Sequence, residues 1–252
     1  MRETDFITKK AITEKDVIAF YNAYASTWDD RFENNYATQY FITRRWKSFV
    51  QVLNNSQVFK NRAIELGAGT GVYIEKASQL FKSVIALDGS EAMISILRNK
   101  VKEYNINNVT PMCANVVNLS SIDTAYADCV YFFGLIEHVI DISSFLAEIK
   151  RVLKRGGVVL GVTPNNKSPW YKLRSIIRGT GKHCLSDKYY SMGELDNLFI
   201  TKGFHKVYAS YWGMVPAGIN DSLAKFLIKI EPILENTFLQ CLLGGITFSY
   251  RR

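Results

Sequence analysis

A glycine-rich turn with two acidic residues carries the strongest chemical signal in this 252-residue sequence. The segment Glu65-Leu-Gly-Ala-Gly-Thr-Gly71 follows a short apolar run and opens a predicted helix, and its glycines let the backbone approach a ligand closely. Asp88 closes the next apolar run, where a ribose diol needs a hydrogen-bond acceptor. Glu65 would repel a pyrophosphate but suits an ammonium group. The pattern therefore predicts a site for an adenosine that carries a cationic amino-acid tail.

The spacing of the glycines differs from the dinucleotide fingerprint. That fingerprint is G-x-G-x-x-G, whereas Val72 follows three alternating glycines here. An NAD-dependent oxidoreductase is therefore the alternative enzyme. A cofactor-binding protein without turnover and an RNA-binding protein are the alternatives from other classes. The contacts predicted from this part of the chain are Glu65, Gly67, Ala68, Gly69, Gly71, Asp88 and Gly89.

With these residues the chain resembles the class I S-adenosylmethionine-dependent methyltransferases, in particular the small-molecule branch that includes the ubiquinone-biosynthesis methyltransferases. The resemblance covers roughly residues 60–205. It implies S-adenosylmethionine as cofactor and S-adenosylhomocysteine as product, with the methionine part on the glycine turn and the ribose on Asp88. Asn115 stands where the family usually has an acid that contacts the adenine amine. Its amide oxygen can accept the same hydrogen bond, and Val116 is a further predicted contact.

The segment from Asp128 to Asp141 resembles the family's fourth-strand motif, in which a Glu-His pair follows the strand. His138 is the predicted catalytic base, because a free imidazole titrates near neutral pH and the favoured acceptor is an oxygen. In the quinone-pathway relatives, Glu-x-x-Glu-His binds a divalent cation. Gly134 takes the first position here, so a carboxylate is lost and we expect metal-independent turnover. Gly134 is also a predicted cofactor contact.

Short apolar runs that alternate with helical stretches predict the elements that position these residues. Apolar runs of this kind are typical of a parallel sheet covered on both faces. We expect an α/β protein, a Rossmann-like doubly wound sheet of seven mostly parallel strands with the last strand antiparallel. Gly156-Gly157 is predicted to end the third helix. The predicted strands are 62–66, 83–88, 109–113, 128–133, 158–163, 204–212 and 246–250, and the predicted helices are 71–80, 90–104, 141–154, 191–202 and 221–240.

The first 60 residues form a predicted helical cap within the same domain as residues 61–252. Phe20, Tyr24, Trp28 and Phe32 recur every four positions, which predicts one helical face. Tyr24 and Trp28 are predicted to contact the cofactor, because an aromatic face attracts a sulfonium cation. Plain core packing is the alternative for both residues.

Residues 165–185 form a basic amphipathic insert, which predicts either a substrate-loading lid or a helix that contacts a membrane surface. Between Glu148 and Asp187 there are nine basic residues and no acid, which accounts for the net charge of +8. The expected partner is therefore a small molecule, apolar or anionic, with peripheral membrane contact through the insert. No nucleic acid is expected, since the segment Phe133-Gly-Leu135 lacks the Asn-Pro-Pro-Tyr signature of base methylation.

The composition excludes several classes of protein. The charged N-terminus lacks the apolar segment of a secretory signal, and no run of about 18 apolar residues could span a bilayer. The expected location is cytoplasmic, with peripheral membrane contact. The oligomeric state is left open. Neither a disulfide framework nor a zinc site is expected from four scattered cysteines, which are Cys113, Cys129, Cys184 and Cys241.

Overall fold

Seven strands form one sheet in the computed structural model, which describes residues 12–33, 36–170, 188–215 and 219–252. The strand order is β3-β2-β1-β4-β5-β7-β6. Neighbours from β3 to β5 are parallel, and β7 is antiparallel to both β5 and β6. This confirms the predicted sheet. The strands are β1 (Arg62–Leu66), β2 (Ser83–Asp88), β3 (Val109–Cys113), β4 (Ala127–Phe133), β5 (Leu153–Pro164), β6 (His205–Trp212) and β7 (Gly245–Arg251).

Helices cover both faces of the sheet, which explains why its central strands are almost continuously apolar. One of the two large core clusters includes Phe145 and Phe199, and the second includes Phe49, Ile74 and Leu97. Within the described ranges, none of the helices combines the length and the hydropathy needed to cross a bilayer. The helices are α1 (Glu14–Tyr24), α2 (Asp30–Glu33), α3 (Tyr36–Asn55), α4 (Ile74–Leu80), α5 (Glu91–Glu103), α6 (Ile142–Val152), α7 (Met192–Thr201) and α8 (Asp221–Glu235).

The third predicted helix ends earlier than expected, and Gly156-Gly157 lies inside β5 instead of terminating the helix. Leu153 already pairs with Ala127, whereas the next paired residue of β5, Val158, faces Cys129, so the strand bulges between them. A β-carbon on Gly157 would lie 3.0 Å from a carbonyl oxygen of the same bulge. The two glycines therefore allow a bulge, not a helix end.

The N-terminal aromatic repeat does not form one continuous helix. Helix α1 ends at Tyr24, and the tighter 3-10 turn Ala25–Thr27 follows. This turn changes the rotation per residue, so Trp28 leaves the face that carries Tyr24. A carboxylate oxygen of Glu14, at the start of α1, accepts hydrogen bonds from the backbone amides of Ile140 (3.0 Å) and Asp141 (3.1 Å). Helix α1 is thereby held beside the loop that follows β4.

Helix α3 joins the N-terminal helices to the sheet. Its Ser48 hydroxyl lies 2.8 Å from the hydroxyl of Thr247 on β7, and both side chains are buried. On another face, the Arg44 guanidinium forms ion pairs with Glu231 and Glu235 of α8. The buried Glu231 carboxylate also accepts hydrogen bonds from the backbone amides of the loop after β6. Helix α3 therefore fixes α8 and this loop on one side of the sheet.

We expect alanine at Gly71 to destabilise the protein more than alanine at Gly156. Both glycines have positive φ, +80° and +76°, so both substitutions strain the backbone. Only at Gly71 would a β-carbon collide with side chains, those of Leu97 and Ile74. The expected additional loss for Gly71→Ala is about 1–3 kcal/mol in the free energy of unfolding, measured by urea denaturation. Equal losses in the two variants would contradict this packing role.

Candidate functional site

A cavity of about 940 Å³ lies at the carboxyl ends of the central strands. The strand order reverses between β1 and β4, and ligands bind at such a switch point in doubly wound sheets. Residues from the loops after β1, β2, β3 and β4 all line it. Among the predicted contacts, the cavity brings together Glu65, Gly67, Ala68, Gly69, Asp88, Gly89, Asn115, Val116, Gly134, His138 and Trp28.

The Asp88 carboxylate connects the glycine turn to the end of β2. One oxygen accepts a hydrogen bond from the backbone amide of Gly69 at 2.9 Å, and the other accepts one from Ser90 at 2.8 Å. Burial raises the pKa of Asp88, and these backbone amides partly offset the effect. The two oxygens together offer about four acceptor sites, more than the backbone amides of Gly69, Ser90 and Gly89 use, so the carboxylate can still accept a hydrogen bond from a diol.

Glu65 is a buried carboxyl group at the end of β1. Burial raises its pKa to about 8, with a smaller contribution from the nearby negative charge of Asp88. The hydroxyl of Tyr131 donates a hydrogen bond to the carboxylate at 3.1 Å, and this bond and the charge of Arg45 act in the opposite direction. Without a ligand, Glu65 is therefore largely protonated at neutral pH. An ammonium group beside it would favour the ionised form.

Arg45 reaches the cavity from α3, and it is not among the contacts that were predicted from the sequence. Its guanidinium lies over the ring of Phe133, 5.5 Å from the ring centroid. It is the only lysine or arginine among the described residues that line the cavity, and it forms no ion pair with a described carboxylate. A charged residue within the apolar stripe of α3, between Phe41 and Phe49, is the signal that could have identified it.

Gly134 provides the space for this guanidinium. A β-carbon on Gly134 would lie 2.5 Å from Nη2 of Arg45 and 3.3 Å from Oε1 of Glu137. A side chain at the position of the lost carboxylate would therefore require the Arg45 guanidinium to move. Across the described part of the chain, no group of three or more His, Cys, Asp or Glu residues is placed to hold a metal ion.

His138 lies in a 3-10 turn, Ile136–His138, directly after β4, and its ring lines the cavity. The ring centroid of Tyr21 is 5.5 Å away in an edge-to-face arrangement. The preceding Glu137 is buried and accepts a hydrogen bond from the hydroxyl of Thr163 at 3.0 Å. The turn therefore presents an imidazole to the cavity from a position that buried neighbours hold in place.

The structure does not bring two of the predicted contacts to the cavity. Tyr24 is 41% exposed and packs on Phe20. Tyr21, earlier on the same helix, lines the cavity instead. Gly71 lies beneath the turn, against Leu97. Trp28 does line the cavity, and its indole nitrogen is 3.9 Å from the position of a β-carbon on Gly69.

Asn115 lines the cavity with part of its hydrogen-bonding capacity already used. Its side-chain oxygen accepts a hydrogen bond from the backbone amide of Val117 at 3.2 Å. One lone pair of that oxygen and the amide NH₂ group are left for a ligand. Its contact with adenine stays a prediction. Most of the predicted insert, residues 171–185, lies outside the described residues, so its lid or membrane role is also still a prediction.

Beyond Gly134 the cavity continues between apolar and aromatic side chains. These include Phe41, Tyr73, Trp212 and Leu223. Trp212 is 2% exposed, and its indole N–H has no hydrogen-bond partner among the described residues. A buried donor of this kind costs free energy until an acceptor reaches it. We call this region the acceptor half and the region around the glycine turn the cofactor half.

Comparison with solved structures shows which fold this is. The geranyl diphosphate C-methyltransferase of Streptomyces coelicolor, solved with Mg²⁺, geranyl diphosphate and S-adenosylhomocysteine, superposes with a TM-score of 0.66. The match covers 94% of this chain and 97% of that one, at 13% identity. At this identity the likeness shows the fold alone, which is the Rossmann-like fold of methyltransferases.

Sequence comparison gives the family. Residues 64–161 match the family described as "Methyltransferase domain". A malonyl-[acyl-carrier protein] O-methyltransferase of Buchnera aphidicola is 26% identical over 73% of this chain and 79% of its own length. The ubiquinone/menaquinone biosynthesis C-methyltransferase UbiE of Proteus mirabilis is 34% identical over 47% of this chain and 48% of its own. The chain spans about half the length of most of the first curated relatives that it matches.

In fold, site and sequence, the chain is similar to the class I S-adenosylmethionine-dependent methyltransferases. The similarity rests on residues 64–161, which match the methyltransferase domain. The names of these relatives agree with the predicted cofactor, S-adenosylmethionine. The resemblance predicted from the glycine turn and the fourth-strand motif is confirmed, and the NAD-dependent alternative is not favoured.

We expect S-adenosylhomocysteine to release about one proton when it binds at pH 7, because its ammonium group lowers the raised pKa of Glu65, which is about 8 in the free protein. Calorimetric titration in buffers of different ionisation enthalpy measures this release. The Glu65→Gln variant should bind more weakly and release none. Proton release that is the same in this variant would contradict the assignment.

The Glu65→Gln variant should also be more stable than the wild type at pH 8.5 in the absence of ligand. The folded-state pKa of Glu65 lies above its ordinary value of 4.5, so the folded protein binds more protons than the unfolded chain between these values. Its contribution to stability therefore falls as the pH rises from about 4.5 to 8. Thermal unfolding against pH should show a shallower decline for Glu65→Gln over this range.

Proposed function

We propose that the protein transfers the methyl group of S-adenosylmethionine to an oxygen atom of a small, largely apolar molecule. The observation that carries this proposal is the single cavity, in which the cofactor half and the aromatic acceptor half meet beside His138. Methyl transfer from a sulfonium is an in-line displacement that depends mainly on alignment of the two reactants. One continuous cavity allows that alignment, because both reactants then occupy the same space.

Glu65 and Arg45 hold the two charged groups of the cofactor's amino-acid tail in this proposal. The tail is a zwitterion, and the ammonium group suits the buried carboxylate of Glu65. The carboxylate of the cofactor's tail needs a cation, and Arg45 is the only lysine or arginine among the described residues of the cavity wall. The Asp88 carboxylate accepts hydrogen bonds from the ribose hydroxyls, and Asn115 contacts the adenine. The sulfonium then lies near Trp28 and Tyr21, whose ring faces favour a cation.

His138 accepts the proton of the acceptor hydroxyl as the oxygen attacks the methyl carbon. The carbon–sulfur bond breaks as the new carbon–oxygen bond forms, which leaves the neutral sulfide of S-adenosylhomocysteine. The unpaired indole N–H of Trp212 supports an acceptor that carries a second oxygen, since a buried donor requires a partner. The aromatic walls around it support an apolar or aromatic body.

Turnover in this proposal needs no metal ion. A guanidinium beside Gly134 puts a fixed positive charge next to the Glu-His pair, and a divalent cation there would be repelled. Oxygen ligands are also too few, because Gly134 replaces a carboxylate.

We expect Arg45→Met to weaken S-adenosylhomocysteine binding about ten- to a hundredfold, the range for loss of a charge-assisted hydrogen bond. Binding of 5′-methylthioadenosine, which lacks the amino-acid tail, should be unchanged. Calorimetry of both ligands measures the difference, with the exposed Lys47→Met on the same helix as the matched control. Equal weakening of both ligands would rule out Arg45 as the partner of the tail.

A second experiment tests the reaction itself. Labelled S-adenosylmethionine is incubated with a panel of phenols, quinols and hydroxy acids, and transfer is followed with the wild type, with His138→Gln and with EDTA. We expect His138→Gln to lower kcat by about a hundredfold or more, the size of a general-base contribution, with cofactor affinity retained. Activity that is lost in EDTA and restored by magnesium would overturn the metal-free mechanism, and a carbon product would overturn the oxygen acceptor.

A further inference from the structure

Exposed apolar side chains are concentrated on one short segment of the chain. Of twelve large apolar or aromatic side chains exposed in the described residues, half lie between residues 223 and 242. They belong to α8 and to the 3-10 turn that follows it (Phe238–Leu242). We call them the outer stripe. Its members are Leu223, Phe226, Ile233, Phe238, Leu239 and Leu242.

The outer stripe is a continuous face and not a frayed end of the helix. Leu223, Phe226 and Ile233 are spaced by three and seven residues, which places them on one side of α8. Phe238, in the turn beyond the helix, is 84% exposed. Contiguous exposed apolar surface of this kind marks an interaction site.

The opposite face of α8 is already occupied. Ala224 and Leu227 are buried in a small cluster with Ala37 of α3. Ion pairs join Arg44 of α3 to Glu231 of α8 and to a further glutamate on the same helix. Helix α8 therefore cannot rotate to bury the outer stripe against its own domain.

The charges beside the outer stripe are positive. Lys225 and Lys229 are exposed one turn apart, adjacent to the stripe on the helix surface. Lys225 also lies over the exposed ring of Tyr36, 5.5 Å from the ring centroid. Of the three acids of α8, Glu231 and Glu235 form ion pairs with Arg44, and Asp221 lies at the first turn. A surface that is apolar with a basic margin complements an anionic lipid bilayer.

The outer stripe is also continuous with the cavity. Leu223, its first member, is 45% exposed and lines the cavity together with Ile219 and Asn220. An apolar molecule at a membrane surface would thus meet an apolar path into the acceptor half.

We propose that the outer stripe, with Lys225 and Lys229, docks the protein onto an anionic lipid bilayer with the mouth of the cavity towards the lipid. Docking itself is independent of methyl transfer. Delivery of the acceptor from the bilayer rests on the proposed function. A second copy of the chain fits this surface less well, because a twofold interface would bring the lysines of one copy near those of the other with no exposed acid in the outer stripe to pair with them.

Vesicle co-sedimentation tests this proposal. The probes are vesicles of phosphatidylcholine alone and of phosphatidylcholine mixed with phosphatidylglycerol. We expect binding to the mixed vesicles at low ionic strength and release at high salt, because the lysine contribution is screened. The double variant Phe226→Glu with Ile233→Glu should lose about tenfold or more of this binding.

Phe59→Glu is the matched control. Phe59 is 77% exposed but precedes β1, at the edge of the sheet opposite the cavity, so this variant should bind vesicles like the wild type. S-adenosylhomocysteine binding should be unchanged in all variants, which separates a failure of docking from a failure of the proposed function. Equal vesicle binding by wild type and double variant would overturn the proposal. So would a dimer in sedimentation velocity that the double variant dissociates.

Discussion

Burial of a carboxyl group at the end of β1 is the constraint on which the rest of the site depends. Glu65 lies in the interior with only the hydroxyl of Tyr131 as a close partner, and its pKa is about 8. Burial therefore disfavours the ionised form of Glu65 until a cation lies beside it. Arg45 is near enough to influence Glu65, yet it forms no ion pair with a described carboxylate. A zwitterionic ligand thus meets a guanidinium that has no ion-pair partner among the described residues and a carboxyl group that ionises when an ammonium group lies beside it.

The parts of this site that the sequence predicted are local in the chain. The glycine turn, Asp88 and His138 each follow a strand directly, so their positions depend only on recognising strands and their carboxyl ends. Arg45 and Trp212 were missed because they come from α3 and β6, and not from the segments that directly follow the central strands. Their places depend on how α3 crosses β6 and β7, which is tertiary packing and leaves no short-range pattern.

The helix boundaries that differed from expectation have causes that the hydrophobic periodicity of the sequence does not reveal. Gly156-Gly157 has the composition of a helix stop but forms a bulge, because Leu153 already pairs with β4. At the N-terminus, a repeat of four residues is compatible with one helix, yet a 3-10 turn after Tyr24 interrupts it. In both places, pairing or packing with a distant element decides between conformations that the sequence allows equally well.

The position of β7 has a consequence for how the protein is made. It is the seventh strand along the chain, yet it lies between β5 and β6 and pairs with both. The buried hydroxyls of Ser48 in α3 and of Ser56, the residue after that helix, also have partners on it. During synthesis, β5 and β6 leave the ribosome well before residues 245–251 and must wait with open edges. One half of the sheet therefore completes after translation has passed β7, and nascent chains are exposed to edge-to-edge association until then.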